Sequence, residues 1–428
     1  MRLHLIGASA TLAGGALLLI LTVRAEPPKA KPDGDLPVSG KANPNLASFD
    51  RVMEKVVREH HVPGAALAVA RNDRIVYTRG YGYADRDKKE PVEPNALFRI
   101  ASVSKPFTAA AVLQLVQSGK IHLNDKVFHV LELKVPVPDD PNVKFDERWK
   151  NVTILDLLQH RGGWDRDKSF DPMFRSPDIC KEMNVKPPAD QEAIIHYMLR
   201  RPLDFNPGER MAYSNFGYCL LGRVIEKVSE KRYEEYVKEK VLAPLGIERM
   251  RQGRTLLDER AKGEVRYYDG EGTAILGPNI GKRAPEPYGC WCLESMDSHG
   301  GWIASAEALV RFGAAFNRPK QCKILDAKSI QTMFARPPGA AGEDKNGKPA
   351  DSWYGCGWSV RPVGGGKENT WHNGSLDGTS TLLVRRSDGL TWAALFNSRE
   401  EVKGQEPAGE IDGLLHEAAD AVKHWPGE

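Results

Sequence analysis

Apolar positions in LASFDRVMEKVVREH, residues 46–60, recur every three to four places and predict an amphipathic helix. The next stretch, GAALAVARNDRIVYTRGYGYAD, holds two apolar runs joined by a polar turn at Arg71 to Arg74, the pattern of a β-hairpin. A further apolar helix begins near FRIASVSKPFTAAAVLQLVQ. From about residue 121 to 290 the pattern is helical in patches such as TILDLLQH, QEAIIHYMLRR and GYCLLGRVIEKVSEKRYEEYVKEKVLAPLG, separated by long Pro-rich connections. Strand patterning returns in CGWSVRPV, SLDGTSTLLVRRSDG and LTWAALFNSR, with turns at Gly364 to Gly366 and Ser387 to Gly389, before a closing helix in EIDGLLHEAADAVKHW. Strands toward both ends of the chain with helices between them predict an α+β fold. One antiparallel sheet is built from both chain ends and flanked by helices, and a mainly helical subdomain is inserted at about 121–290. No internal repeat is visible.

The first residues change the picture of where this domain works. One Arg, an apolar run from about Leu5 to Val23 and the sequence Val23-Arg24-Ala25 predict a secretory signal cleaved after Ala25. An uncleaved anchor is the alternative, because the run approaches the length of a bilayer-spanning helix. Residues 26–45 are rich in Pro, Lys, Gly and Asp and read as a solvated linker, so the folded domain is expected over 46–428. The expected location is outside the cytoplasm, periplasmic or extracellular. A chain of 428 residues, 41% hydrophobic and 27% charged, is otherwise that of a soluble globular protein. Its net charge of +3, from 60 basic and 57 acidic residues, leaves no basic tract with interleaved aromatics, which argues against a nucleic-acid partner.

Six cysteines in an exported chain of this length permit accessory disulfides but not a disulfide framework. Cys219 lies in an apolar helical stretch and reads as a buried free thiol, while Cys290, Cys292, Cys322 and Cys356 show no pairing by spacing. No Cys or His arrangement has metal-ligand spacing, so no metal site is expected.

Three short stretches carry candidate chemistry. Ser102 and Lys105 stand three apart at the start of a helix, so both fall on one face, and Pro106 is tolerated only near a helix N-terminus. A serine hydroxyl needs a base, and a lysine serves once burial or neighbouring cations lower its pKa. Free N–H groups at that helix start favour a developing anion. Alone, Ser-x-x-Lys is common by chance. The second stretch is PGERMAYSNFGYCLLG, a turn leading into a helix, where Tyr213 can relay a proton and Asn215 can donate to a substrate amide. Loop packing by Tyr213 and helix capping by Ser214 or Asn215 are the plain structural reading of the same residues. The third is TWHNGSLDGTS, where His372 opens a C-terminal hairpin and Gly374 lets another backbone approach the strand edge. His160 and His299 also precede glycines, and His160 is explained by helix termination.

Taken in order, Ser102-x-x-Lys105, Tyr213-x-Asn215 and His372-x-Gly374 resemble the serine β-lactamase and penicillin-binding protein superfamily. The likeness is to its class C and esterase or DD-peptidase branch, and it extends over most of residues 46–428. LLQHRGG and HGGWIASAEALVRF add to it. The resemblance implies a β-lactamase/transpeptidase-like fold, an acylated Ser102, and Lys105 and Tyr213 as proton-transfer groups. It further implies Asn215 as a substrate-amide ligand and the backbone N–H groups of Ser102 and Ser375 as the oxyanion hole. His372 would stand where the family presents a lysine or arginine to a substrate carboxylate, and an imidazole there would give a pH response between about 5.5 and 7.5. The departure from lysine bears on β-lactam hydrolysis and leaves esters, amides or D-amino-acid peptides open. The implied activity is a serine hydrolase acting on a small-molecule or peptide ester or amide. A penicillin-binding module with little turnover is the alternative, and a scaffold without chemistry is a third possibility. No cofactor is required, because each role has a protein group.

Overall fold

A computed structural model describes residues 35–137, 144–344 and 346–427. The expected signal segment, 1–25, lies outside the described residues. The apolar runs at 64–71 and 390–396, more than 300 positions apart in the chain, are neighbouring strands. The main sheet comprises β1 (Val38–Ser39), β2 (Gly64–Arg71), β3 (Arg74–Asp85), β4 (Trp353–Tyr354), β5 (Ser359–Gly364), β6 (Lys367–Leu376), β7 (Thr379–Arg385) and β8 (Leu390–Phe396). Their spatial order is β1-β3-β2-β8-β7-β6-β5-β4, with every neighbouring pair antiparallel. The architecture is thus the α+β arrangement read from the sequence.

β2 is almost continuously small and apolar because both of its faces are covered. Ala66, Ala68 and Ala70 join one core, and Ala65, Leu67 and Val69 the other. The second core is closed by α1 (Ala47–Glu59), through Phe49, Met53 and Val56, and by the last helix, which offers Ile411 and Leu415. The first core receives α2 (Ser104–Gln117), which is apolar all round and buried accordingly. It also receives the helical residues of the insert, among them α3 (Ile154–Leu158) and α4 (Asn215–Ser229), and α5 (Ala306–Ala314). The last helix, α6, spans Pro407–Asp420, a few residues ahead of the span expected from the sequence, with its proline in the tolerated first turn.

Several expectations shift by a few residues, with consequences. The linker expected through residue 45 ends earlier: Val38 and Ser39 pair with Tyr81 and Gly80 as an edge strand, and Ser39 Oγ donates to Val92 O at 2.5 Å. Polar composition hid this, since an edge strand is held by backbone bonds rather than by apolar side chains. His372 leads into β7 as expected, and itself lies within a strand, β6. Ser102 belongs not to α2 itself but to a 3-10 turn, Ala101–Val103, immediately before it.

The turn is fixed from behind by a small three-stranded sheet in which Phe98–Arg99 and Arg251–Gln252 both pair with Trp302–Ala304. The fully buried Arg99 anchors the segment. Its guanidinium donates to the carbonyls of Pro287, Arg254 and Thr255 at 2.8–3.1 Å and lies 4.4 Å from the centre of the Tyr267 ring.

All six cysteines are free. Burial pushes the Cys219 thiol up to about 12, so it has no thiolate chemistry at neutral pH. Asp269, Glu286 and Asp377 converge, but Arg399 binds two of them, Asp269 at 2.9 Å and Asp377 in a short contact.

Candidate active site

Ala101, directly before the candidate nucleophile, takes φ +46°, a conformation that costs a non-glycine residue of order 1–3 kcal/mol. The surrounding pairing holds it there: Ile100 N–H donates to Trp302 O at 3.0 Å, and Thr381 Oγ1 donates to Ile100 O at 3.0 Å. The result is a half-exposed Ser102 at the head of α2, one turn ahead of Lys105.

Lys105 is fully buried. Its Nζ lies 2.9 Å from Ser102 Oγ, 2.8 Å from Asn215 Oδ1 and 3.0 Å from His299 O. The rings of Tyr213 and Tyr218 stand 4.8 and 5.8 Å away. Burial pulls the Lys105 pKa well below that of a free amine; the charge of Asp171 opposes this and Arg166 adds to it. Lys105 Nζ thus has three oxygen partners, Ser102 Oγ, Asn215 Oδ1 and His299 O, and losing its proton would free a lone pair for the Ser102 hydroxyl. A base for the serine would have to stand within this distance of its hydroxyl.

Tyr213 meets the same hydroxyl. Burial pushes its phenol upward, and a hydrogen bond with Ser102 draws it back. The loop bearing it is stiffened by Ser214, whose side chain accepts the Gly217 N–H at 3.2 Å as the cap of α4, while the Ser214 N–H donates to His160 Nδ1 at 3.2 Å. The structural reading and the functional one therefore coexist here: Ser214 caps, leaving Tyr213 and Asn215 for the cleft. Asn215 turns its carbonyl to Lys105 and donates from Nδ2 to Asp171 at 2.6 Å.

β6 forms the facing wall. It pairs with β5 only as far as Trp371, so His372 to Leu376 have a strand partner on the β7 side alone. Gly374 packs against the nucleophile turn: a Cβ there would come within 2.5 Å of Ile100 O and 3.0 Å of Ser102 N. Only glycine permits that approach. Ser375, the next residue, aims its hydroxyl away, donating to Glu406 Oε1 at 2.6 Å, which leaves its backbone for any role at the cleft.

His372 departs from what its sequence position suggested. It is 3% exposed, donates from Nδ1 to Asn373 O at 2.6 Å and accepts at Nε2 from Tyr354 Oη at 2.9 Å. Burial, with Lys105 nearby, lowers its pKa to about 3. The ring is a neutral, doubly bonded part of the wall, so the expected response between pH 5.5 and 7.5 has no titrating group at this position.

The structure brings together Ser102, Lys105, Tyr213, Asn215, His372, Gly374 and Ser375, and adds residues that sequence reasoning missed. His160 does end α3 with φ +55°, but its ring also packs 4.2 Å from Tyr213 and 4.4 Å from Tyr354. His299 contributes its carbonyl to Lys105. Asp171 and Arg166 arrive on the connection before α4, with the Arg166 guanidinium 4.7 Å from the Tyr213 ring. The recurring His-Gly pairs were the one visible signal for His160 and His299; nothing in the local pattern marks Asp171.

Comparison with known proteins shows the family and the fold. The family described as Beta-lactamase matches residues 49–415. Protein flp of Staphylococcus aureus is 26% identical over 363 residues, covering 83% of this chain; the chain spans 64% of that relative's length. Penicillin-binding protein 4* of Bacillus subtilis is 28% identical over 363 residues, covering 83% of this chain and 72% of that protein. Among solved structures, the octameric penicillin-binding protein homologue from Pyrococcus abyssi superposes with a TM-score of 0.65 at 25% identity, over 89% of this chain and 78% of that one.

Proposed function

This chain belongs to the beta-lactamase family, whose members are generally serine hydrolases, and from that premise we propose that it cleaves an ester or amide through an acyl-enzyme on Ser102. The observation that carries the reading is the buried Lys105 amine 2.9 Å from Ser102 Oγ, with its other two contacts satisfied by acceptors. In the proposed sequence Lys105 takes the Ser102 proton as Oγ bonds to the substrate carbonyl carbon. The carbonyl becomes an oxyanion held by the backbone N–H groups of Ser102 and Ser375. Tyr213 passes its phenol proton to the leaving alkoxide or amine as that group's bond to carbon breaks, and recovers a proton from the Lys105 ammonium. Water, activated by the same pair, then releases the acid and restores Ser102. The open edge of β6 suits an extended small molecule or peptide.

An exported location, periplasmic or extracellular, is part of the proposal and rests on the apolar run and the Val23-Arg24-Ala25 sequence within residues 1–25. The penicillin-binding names of two similar proteins support a second reading, in which cell-wall peptides acylate Ser102 and deacylation is slow.

The test is labelling with a fluorophosphonate and a fluorescent penicillin alongside p-nitrophenyl ester turnover. Ser102→Ala should abolish labelling and reduce turnover by several orders of magnitude without unfolding the protein. Sustained turnover after labelling-competent burst kinetics supports the hydrolase, and a stoichiometric burst alone supports the slow acyl-enzyme. Label on another serine rejects both.

A further inference from the structure

Asp171 is a partly buried carboxylate linked to Lys105 through Asn215 by two hydrogen bonds, and the proposed mechanism gives it no role. It caps the short turn Pro172–Phe174, where Oδ1 accepts the Met173 N–H at 3.1 Å, leaving Oδ2 for Asn215 Nδ2 at 2.6 Å. The connection leading to it is tied at its start. Asp165 accepts Arg210 Nη2 at 2.7 Å, and its own N–H donates to Asp204 at 2.9 Å. The carboxylate is therefore placed by structure on both sides.

A side-chain amide fits its pocket either way round, and its neighbours decide which end faces which. Turned over, Asn215 would set its NH2 against the N–H groups of Lys105 and its carbonyl oxygen against the oxygens of Asp171. Both contacts would be repulsive. With Asp171 present, one orientation survives, and it is the one that gives Lys105 an acceptor.

The electrostatics runs through the same connection. Lys105 is faced by Ser102 on its own turn, by Asn215 and Tyr218 of α4, by Tyr213, by His160 at the end of α3, by His372 of β6 and by His299. Arg166 and Asp171 complete the set and act on Lys105 in opposite directions. Asp171 in turn faces Asn215, Arg166, Lys105, Tyr213 and Cys219.

We propose that Asp171 is a positioning residue for the Ser102–Lys105 pair, acting through Asn215: it holds the amide with its carbonyl toward Lys105 and supplies the counter-charge in whose field Lys105 ionises. The proposal rests on the reading of Ser102 as nucleophile and Lys105 as its base.

The experiment uses the full chain and follows kcat/KM for p-nitrophenyl acetate, and the rate of fluorophosphonate labelling, against pH. Asp171→Asn keeps shape and an acceptor for Asn215 but removes the charge. With the counter-charge gone Lys105 should lose its proton more easily, so the acidic limb of both profiles should move to lower pH by about half a unit or more. Asp171→Ala frees the amide as well, and should lower kcat about tenfold or more with a much smaller change in KM, besides moving the limb. Either variant suffices if the other does not fold, as checked by thermal unfolding. Limbs that coincide with the wild-type one, with any loss of rate equal at every pH, would reduce Asp171 to a packing residue and overturn the proposal. Label on a serine other than Ser102 in the wild-type protein would overturn the nucleophile assignment and this proposal with it. Label on Ser102 with unmoved limbs removes Asp171 alone.

Discussion

Burial makes a charged Lys105 costly, and among the described residues only Asp171 opposes that effect. In the proposed mechanism the amine, the serine and the tyrosine act on one proton, which would make their effects interdependent. Lys105→Ala and Tyr213→Phe should each cost about two or more orders of magnitude in kcat/KM for an ester, and the double variant should cost clearly less than the product. Full additivity in that cycle would show that the two groups move different protons.

Three histidines near Lys105 carry a second residue-scale consequence. Burial holds His160, His299 and His372 below the ordinary imidazole range in the folded protein. The unfolded chain therefore takes up protons first as the pH falls through about 6.5, and the folded His372 does so only near 3. Stability from these groups is complete above 6.5 and is lost progressively below it. The melting temperature should fall between pH 7 and pH 5, while KM for an anionic ester stays free of an imidazole titration at His372. A flat melting profile would contradict the burial of these rings.

At the scale of elements, what the sequence revealed depended on how local each relation was. Ser102 and Lys105 meet across one helical turn, so their spacing showed them, and the Tyr213 loop was readable from its turn and the helix that follows. Gly374 was readable as a close-approach residue, although not what approaches it. Asp171 and Tyr354 meet their partners Asn215 and His372 only after distant segments pack, and no periodicity encodes that. The titration expected of His372 failed for the same reason, because the burial responsible comes from Tyr354, Tyr213 and α2 rather than from its neighbours in the chain. The packing of β6 on the nucleophile turn makes a sharp test. Gly374→Ala should push the strand away from Ile100 and Ser102, cutting ester turnover at least a hundredfold while costing only about 1–3 kcal/mol of stability. Near-normal turnover would mean that this contact does not shape the site.

On the scale of the whole molecule, β1 revises where the domain begins. A chain starting at Asp35 should match the full-length protein in stability and activity. One starting at Pro44 loses the pairing of Val38 and Ser39 with β3, the Ser39–Val92 bond and the Arg79 Nε bond to Ser39 O. At roughly 1 kcal/mol for each hydrogen bond lost, it should melt a few degrees lower yet keep its turnover, since none of these contacts touches the cleft. Equal melting temperatures would restore the longer linker.

The antiparallel pairing of β2 with β8 reaches further than stability. Ala65 sits opposite Phe396 and Arg71 opposite Leu390, so the middle of the sheet joins stretches made at opposite ends of synthesis. As β2 leaves the ribosome it has β3 beside it, but its other edge waits for more than 300 further residues. The nucleophile turn waits about 270 residues for Gly374. Closing so long a loop adds little to the equilibrium cost but slows the search for the native pairing. A nascent or C-terminally shortened chain therefore carries Ser102 and Lys105 without the wall that completes their cleft, and chemistry starts only once the sheet has closed.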